Sequence, residues 1–298
     1  MQLSDNMRGA LLMMASMAAF TFNDTFMKSL AGVVPLFQLL FLRGVMTSVF
    51  TGVWAAKVGA FRTPLAAKDW GLIALRVIAE VGAAYFFLTA LFVTPIANVT
   101  AILQSLPLTV TLMAALLFGD KLGWRRLSAI SIGFFGVLLI VRPGAEGFDI
   151  NSGYVLIAVA FVTMRDLVTR RLSPEVPSML VTSLSAMGVM VFFGLGALGQ
   201  DWVAMDLSAW ATTAAAALMI VGGYLFSVMV MRVGEISFIA PFRYTSLVWA
   251  LLLGWVVFGE WPDGITLLGA AIVVGSGLFT LYREGQLARR AARAKVAQ

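Results

Sequence analysis

Apolar residues run along this chain in blocks of roughly 20, the length a helix needs to cross a 30 Å hydrocarbon core, with only short polar breaks between them. The blocks predict spanning helices at 7–29, 35–56, 71–92, 95–118, 125–142, 152–171, 178–199, 208–231, 236–258 and 264–282. Charges and turn formers mark the breaks. They include Lys57 to Lys68, Gly119-Asp120-Lys121, Arg142-Pro143-Gly144, Ser173-Pro174-Glu175, Gln200-Asp201 and Gly259-Glu260-Trp261-Pro262-Asp263. Between the third and fourth blocks only Val93-Thr94-Pro95 turns the chain. Inside a bilayer every backbone polar group needs a partner within the protein, and a helix supplies one locally. The expected fold class is therefore all-α integral membrane, with ten transmembrane helices.

Composition agrees. Hydrophobic residues fill 60% of the 298 positions, charged residues 12%, and the mean hydropathy is +0.93. A soluble domain carries about twice that charged fraction. The first block follows Arg8 and continues to Leu30 without a small-residue cleavage pattern, so it reads as a retained helix rather than a signal peptide. The chain has no cysteine and no histidine. That excludes thiol chemistry and Cys-based metal sites, and removes the commonest general base. No cofactor and no metal ion are expected.

The net charge of +6 is unevenly placed. With the N-terminus inside, the inner side holds Arg8, Lys57, Arg62, Lys68, Lys121, Arg125, Arg126, Arg170, Arg171, Arg232, Arg283, Arg289, Arg290, Arg293 and Lys295. The outer side holds only Lys28 and Arg142. Positive residues stay on the cytoplasmic side, so both termini are expected there, in the cytoplasmic (inner) membrane. Trp54, Trp70, Trp124, Trp202, Trp210 and Trp261 stand near the ends of the blocks, at the headgroup level such rings prefer. The basic charge thus points to lipid and not to nucleic acid.

The sequence also repeats at an offset of about 140 residues. Leu117-Phe118-Gly119-Asp120 returns as Val257-Phe258-Gly259-Glu260, and Gly82 to Phe87 returns as Val221 to Phe226. Asp24, Lys28 and Pro35 have counterparts in Asp166, Arg170 and Pro177. Each half carries five spans, an odd number, so the second half enters the membrane from the opposite side. Inverted repeats of this kind expose a site at their interface alternately to either side. The expected halves are 1–146 and 147–284, followed by a basic tail at 285–298.

With these features the chain resembles the drug/metabolite transporter superfamily, EamA type, over essentially its whole length. The resemblance rests on the five-plus-five layout and on Phe-Gly-Asp/Glu closing the fourth and ninth spans. It rests also on the Gly-rich fifth and tenth spans, the polar stretch Phe22-Asn23-Asp24-Thr25-Phe26-Met27-Lys28, and the basic tail. It implies a central cavity among spans 1, 3, 4, 6, 8 and 9, with 5 and 10 peripheral. It implies transport of a small metabolite: export of amino acids, including aromatic ones, or uptake of S-adenosylmethionine or a nucleoside-like metabolite.

Ionisable groups inside a membrane are expensive and mark candidate pathways. Asp24 and Asp166 are candidates for gating or coupling; the alternative is an i,i+4 salt bridge, with Lys28 and Arg170 respectively. Arg76 and Glu80 form another i,i+4 pair, suited to the carboxylate and amine of an amino acid or simply to each other. Arg243 lies midway along span nine with no acid within a turn, followed by Tyr244, Thr245 and Ser246. It is the leading candidate for substrate binding. Asn98, Ala101, Gln104, Ser105 and Leu108 share one face of span four as a possible opposite wall. Tyr85 and Tyr224 are repeat-related rings that stack on a flat ligand or pack between helices. Pro95, Pro107 and Pro241 bend or break their helices.

Gly194-Leu195-Gly196-Ala197-Leu198-Gly199 spells a dinucleotide fingerprint, but it lies within a span and follows no strand, so its glycines serve close helix contact. Ala129 with Gly133, and Ala271 with Gly275, have small-xxx-small spacing for internal packing or a dimer face. The expected function is a secondary transporter of a small metabolite, foremost an amino acid, working by alternating access and exporting. Protons are candidate coupling ions, and both a monomer and a homodimer fit. A membrane-embedded lipid-modifying enzyme is the remote alternative; it lacks a His/Cys cluster or paired-carboxylate motif here.

Overall fold

The computed structural model describes residues 5–118, 123–142, 150–230, 233 and 239–296. These form α1 (Asp5–Ser29), α2 (Leu36–Lys57), α3 (Ala67–Leu91), α4 (Ile96–Leu103), α5 (Leu106–Phe118), α6 (Trp124–Val141), α7 (Ile150–Thr169), α8 (Ser178–Ala197), α9 (Leu207–Val230), α10 (Thr245–Phe258) and α11 (Gly264–Val296). Short 3-10 turns lie at Ala60–Arg62 and Ala240–Tyr244. No strand occurs among the described residues, so the protein is all-α. Among the described residues eight segments are long and apolar enough to cross a membrane, and shorter apolar helices at Leu127–Val141 and Gly264–Thr280 bring the number to the ten expected. The breaks at Gly119-Asp120-Lys121 and Pro143-Gly144, the boundary between 146 and 147, and Arg232 lie outside the described residues.

Prolines place several boundaries. Pro35, Pro95 and Pro177 stand immediately before α2, α4 and α8, where the first N–H groups have no intrahelical acceptor. Span four is two helices, α4 and α5, separated at Gln104-Ser105. Pro107 explains the break: its ring excludes the carbonyl of Leu103, four residues earlier, and it has no N–H to donate. In span nine the 3-10 turn Ala240–Tyr244, with Pro241 at its start, precedes α10. The last helix runs beyond its apolar stretch to Val296, so the backbone of the basic tail is helical. The side chains of Arg289, Arg290, Arg293 and Lys295 lie outside the described residues.

The chain divides into two compact units that interleave its halves. One contains Phe22–Thr94 and Asp149–Val221. Within it α2 packs on α8, and α3 on α7. Lipid gives helices no hydrophobic reason to associate, so small residues and close packing decide which faces meet. Gly194 lies against the Phe41 ring, where a Cβ would come within 2.7 Å, and Gly196 lies against Phe37. Gly44 fits the same way on Met190, with 3.0 Å to its Cα. At one end of the pair, Gln38 donates to the Val203 carbonyl (2.8 Å) and accepts from its N–H (3.0 Å). At the other end Leu180 packs with Ala55 and Ala60. The start of α2 therefore meets the end of α8: the pair is antiparallel. In α3 and α7, Gly82 faces Phe161, and Phe86 stacks on Phe161 at 5.8 Å and 15°.

The other unit contains Met1–Thr21, Pro95–Phe148 and Gly222–Gln298. There α6 and α11 cross backbone to backbone: a Cβ on Gly136 would lie 2.8 Å from the Gly269 carbonyl oxygen, and one on Gly269 2.7 Å from that of Gly136. Gly133 meets Leu108 and Ser276, while Gly275 meets nothing within 4 Å. This pair is antiparallel too, because Arg142 at the end of α6 reaches Asp263 just before α11, at 2.6 Å. α4 packs on α10, with Ile96 on Gly254 and the Glu260 carboxylate accepting from the Ile96 N–H at 3.2 Å. Glu260 follows Gly259, whose φ of 66° is the left-handed turn that ends α10. Thus the second, fourth and fifth spans of one half each pair antiparallel with their counterparts in the other.

The Arg142 guanidinium and the Thr266 N–H lower Asp263 to about 2. A carboxylate depressed on folding stabilises above its unfolded pKa, and the contribution is lost as pH falls through the folded one. The Asp263 side chain is 54% exposed, so the bridge contributes no more than about 1 kcal/mol. Asp263→Asn should lower the melting temperature slightly at neutral pH. The gap from wild type should hold down to about pH 4 and close towards pH 2; thermal scans at several pH values check it.

Candidate functional site

The Phe22–Thr94 and Asp149–Val221 unit brings four ionisable side chains together from two helices. Arg76 and Glu80, one turn apart on α3, pair at 3.8 Å. Arg165 on α7 approaches the same Glu80 carboxylate at 3.4 and 3.5 Å, and pairs with its neighbour Asp166 at 3.0 Å. Hydroxyls complete the group. Arg76 Nε donates to Thr169 Oγ1 at 2.9 Å, and Arg76 also donates to Ser185 Oγ on α8. Thr169 in turn donates to the Arg165 carbonyl at 2.7 Å.

The formal charge of the four side chains is zero, which is what allows them to stand within apolar spans. The side chains of Arg76 and Glu80 are each 14% exposed, against 23% for Arg165 and 31% for Asp166. The cluster is thus shielded but not sealed. Glu80 sits between two guanidinium groups at distances longer than a close charge-assisted bond. A ligand carboxylate can take over either guanidinium, and a ligand amine can take over Glu80.

Two more polar ties lie in this unit. Arg43 of α2, almost fully buried, donates to Asn23 Oδ1 at 3.1 Å, and Asn23 donates to Asp24 Oδ1 at 2.9 Å. Lys28 donates to the Thr94 carbonyl at 2.6 Å. Of the three i,i+4 pairs read from spacing, Arg76–Glu80 is present. Asp24 accepts instead from Asn23, and Asp166 from Arg165. Tyr85 packs edge-on against Phe37 and Phe86, at 6.1 and 5.2 Å.

The remaining candidates belong to the other unit. Gln104, at the α4–α5 break, donates to Ser246 Oγ at 3.0 Å, and Ser246 donates to the Arg243 carbonyl at 3.0 Å. Arg243 occupies the 3-10 turn, is exposed, and has no ion pair among the described residues. Tyr224 meets Phe20 edge-on at 5.5 Å, beside a hydrogen bond from Ser16 to the Gly223 carbonyl. Asn98 Oδ1 and the Tyr244 hydroxyl are buried without a hydrogen-bond partner among the described residues. The Tyr244 hydroxyl lies directly against Gly277. An unpaired buried hydroxyl contributes no stability, so Tyr244→Phe should leave the melting temperature unchanged or slightly raised. A fall of several degrees would show that the hydroxyl has a partner.

The sequence gives no reason to join Ser185 or Thr169 to Arg76, and it did not single out Arg165. Its place among the span-embedded arginines was the available signal. Nothing in the sequence points to Ser185.

Ten apolar helices, with equivalent spans paired antiparallel and a shielded ionic cluster within the spans, define a polytopic membrane protein of the metabolite-transporter class. The chain belongs to the EamA-like transporter family, which matches residues 7–142 and 152–282. It is 30% identical over 237 residues to a riboflavin transporter of Vibrio cholerae, covering 78% of this chain and 79% of the relative. It is 26% identical to an S-adenosylmethionine uptake transporter of Rickettsia bellii, over 65% of this chain and 66% of that one. Against a pseudopaline exporter of Pseudomonas aeruginosa the identity is 22%, over 88% and 93%. A crystal structure shares the fold, with a TM-score of 0.61 at 20% identity, covering 95% of this chain and 98% of the other. The protein is a multi-pass membrane transporter of a small molecule, and not an enzyme.

Proposed function

We propose that the protein carries a zwitterionic metabolite, an amino acid in the first instance and an aromatic one among them, across the cytoplasmic membrane by alternating access. The observation that carries this reading is Glu80 held between Arg76 and Arg165, with the hydroxyls of Thr169 and Ser185 alongside. An α-amino carboxylate supplies the complement of each charge. Gln104, Tyr244, Asn98 and Arg243 are further substrate-binding candidates, and Tyr85 and Tyr224 offer rings to a flat substituent. Asp24 and Asp166 are the candidates for gating or proton coupling. The antiparallel pairing of equivalent helices supports two inverted halves, 1–146 and 147–284, with the tail at 285–298. The Lys and Arg distribution supports termini in the cytoplasm. Export is the direction expected of members that resemble this chain; the exporter among its relatives agrees and the uptake carriers do not.

A second reading is favoured by the 30% identity to the riboflavin transporter. A neutral flavin would use the hydrogen-bonding groups and rings and have no need of the ion pairs. Counterflow in proteoliposomes separates the two, with labelled aromatic amino acids, S-adenosylmethionine and riboflavin, with and without a pH gradient. Exchange of amino acids or S-adenosylmethionine is the expected result. Exchange of riboflavin alone would replace the zwitterion with a flavin. A flux that follows the pH gradient would assign coupling to protons.

A further inference from the structure

At one end of the α6–α11 pair lies a cleft of about 460 Å³ lined by Trp124, Ser128, Ala129, Ile132, Ser276 and Phe279. Its two hydroxyls are turned away from any ligand: Ser128 donates to the Trp124 carbonyl at 2.9 Å, and Ser276 to the Val273 carbonyl at 2.9 Å. The lining therefore offers mostly apolar surface, with both serine protons already committed to the helix backbone. From Trp124 to Ile132 a helix rises about 12 Å, most of the roughly 15 Å depth of one leaflet's hydrocarbon.

The mouth of the cleft has a different character. Trp124, 73% exposed, is the first residue of α6, and Arg125 and Arg126 follow it in the sequence. On α11, Tyr282 is exposed, and Arg283 stands one turn beyond Phe279, on the same face of that helix. An apolar slot of leaflet depth thus opens at a level carrying Trp124, Tyr282 and Arg283, with Arg125 and Arg126 next to Trp124 in the sequence. Juxtamembrane cations of this kind attract anionic headgroups.

We propose that this cleft is a binding site for one anionic phospholipid of the leaflet on the basic side, with an acyl chain between α6 and α11 and its headgroup at Arg283. The site belongs to the unit containing α6 and α11, shares no residue with the ionic cluster, and holds whichever substrate is carried.

Native mass spectrometry of the full chain, released from bilayers of phosphatidylglycerol and phosphatidylcholine mixed equally, tests this. Wild type should retain one phosphatidylglycerol. Ser128→Phe, which places a ring in the slot at an exposed position, should lose it. Arg283→Gln should weaken retention about fivefold while keeping a wild-type melting temperature, so a folding failure of the first variant leaves the test intact. Equal retention of phosphatidylcholine, or an adduct unchanged in Arg283→Gln, would overturn the proposal. So would a dimer that Ser128→Phe dissociates, since a second copy would then occupy the face.

Discussion

Glu80→Gln should abolish transport and destabilise the protein together. The substitution removes the one carboxylate that Arg76 and Arg165 share, at 3.8 and 3.4 Å, and leaves an excess positive charge within the spans. Breaking a buried pair from one side costs about 3–5 kcal/mol, mostly from the charge left behind. The 14% exposure of the Glu80 side chain places the expected loss near the lower figure. Stability and function then separate in a second variant. Glu80→Gln combined with Arg165→Gln restores neutrality and should recover most of the melting temperature, because contacting sites couple. It should not recover flux, because Glu80, the group that meets the substrate's amine, is gone and only one of the two guanidinium groups remains for its carboxylate. Wild-type flux in the double variant would make the cluster structural.

The second large effect belongs to the α6–α11 crossing. Gly136→Val should destabilise the protein by about 3 kcal/mol or more. Overpacking usually costs about 1–3 kcal/mol because side chains can shift to make room. Here the obstacle is the Gly269 carbonyl oxygen, 2.8 Å from the position a Cβ would take, and a backbone within a helix cannot rotate aside. Gly275→Ala, on α11 of the same pair, is the control. Nothing lies within 4 Å of its Cβ position, so the methyl group should leave stability unchanged or raise it by up to about 1 kcal/mol through helix propensity. Thermal unfolding in detergent reads both. Equal behaviour of the two variants would mean that the crossing is not where the helices meet.

Span number and placement were legible because each helix must carry its own apolar length in lipid, a signal that needs no tertiary information. The duplication was legible from short matches at near-constant offset, and the antiparallel contacts Phe37–Gly196, Phe41–Gly194 and Gly136–Gly269 agree with it. Pro107 gave warning of the break at Gln104-Ser105.

Partner choice for the charges was not legible. Spacing along one helix suggests i,i+4 pairs, and the Arg76–Glu80 pair follows that rule. Lys28 instead reaches Thr94, 66 residues away, at 2.6 Å. Arg165 reaches Glu80, 85 residues away. Such contacts are decided by which helix faces meet, and glycine and phenylalanine positions set that in a pattern a sequence read alone does not disclose. Arg243 shows the same limit: a helical reading put it midway along a span, whereas it stands on a 3-10 turn beside Pro241.

Alternating access requires a site that opens to each side of the membrane in turn. The chain has no cysteine, so Ser185→Cys, next to Arg76, is a single clean label. In proteoliposomes of defined orientation, a membrane-impermeant maleimide should modify the introduced thiol from either side, and saturating substrate should slow both reactions. Modification from one side alone, with active transport, would contradict alternating access at this cluster.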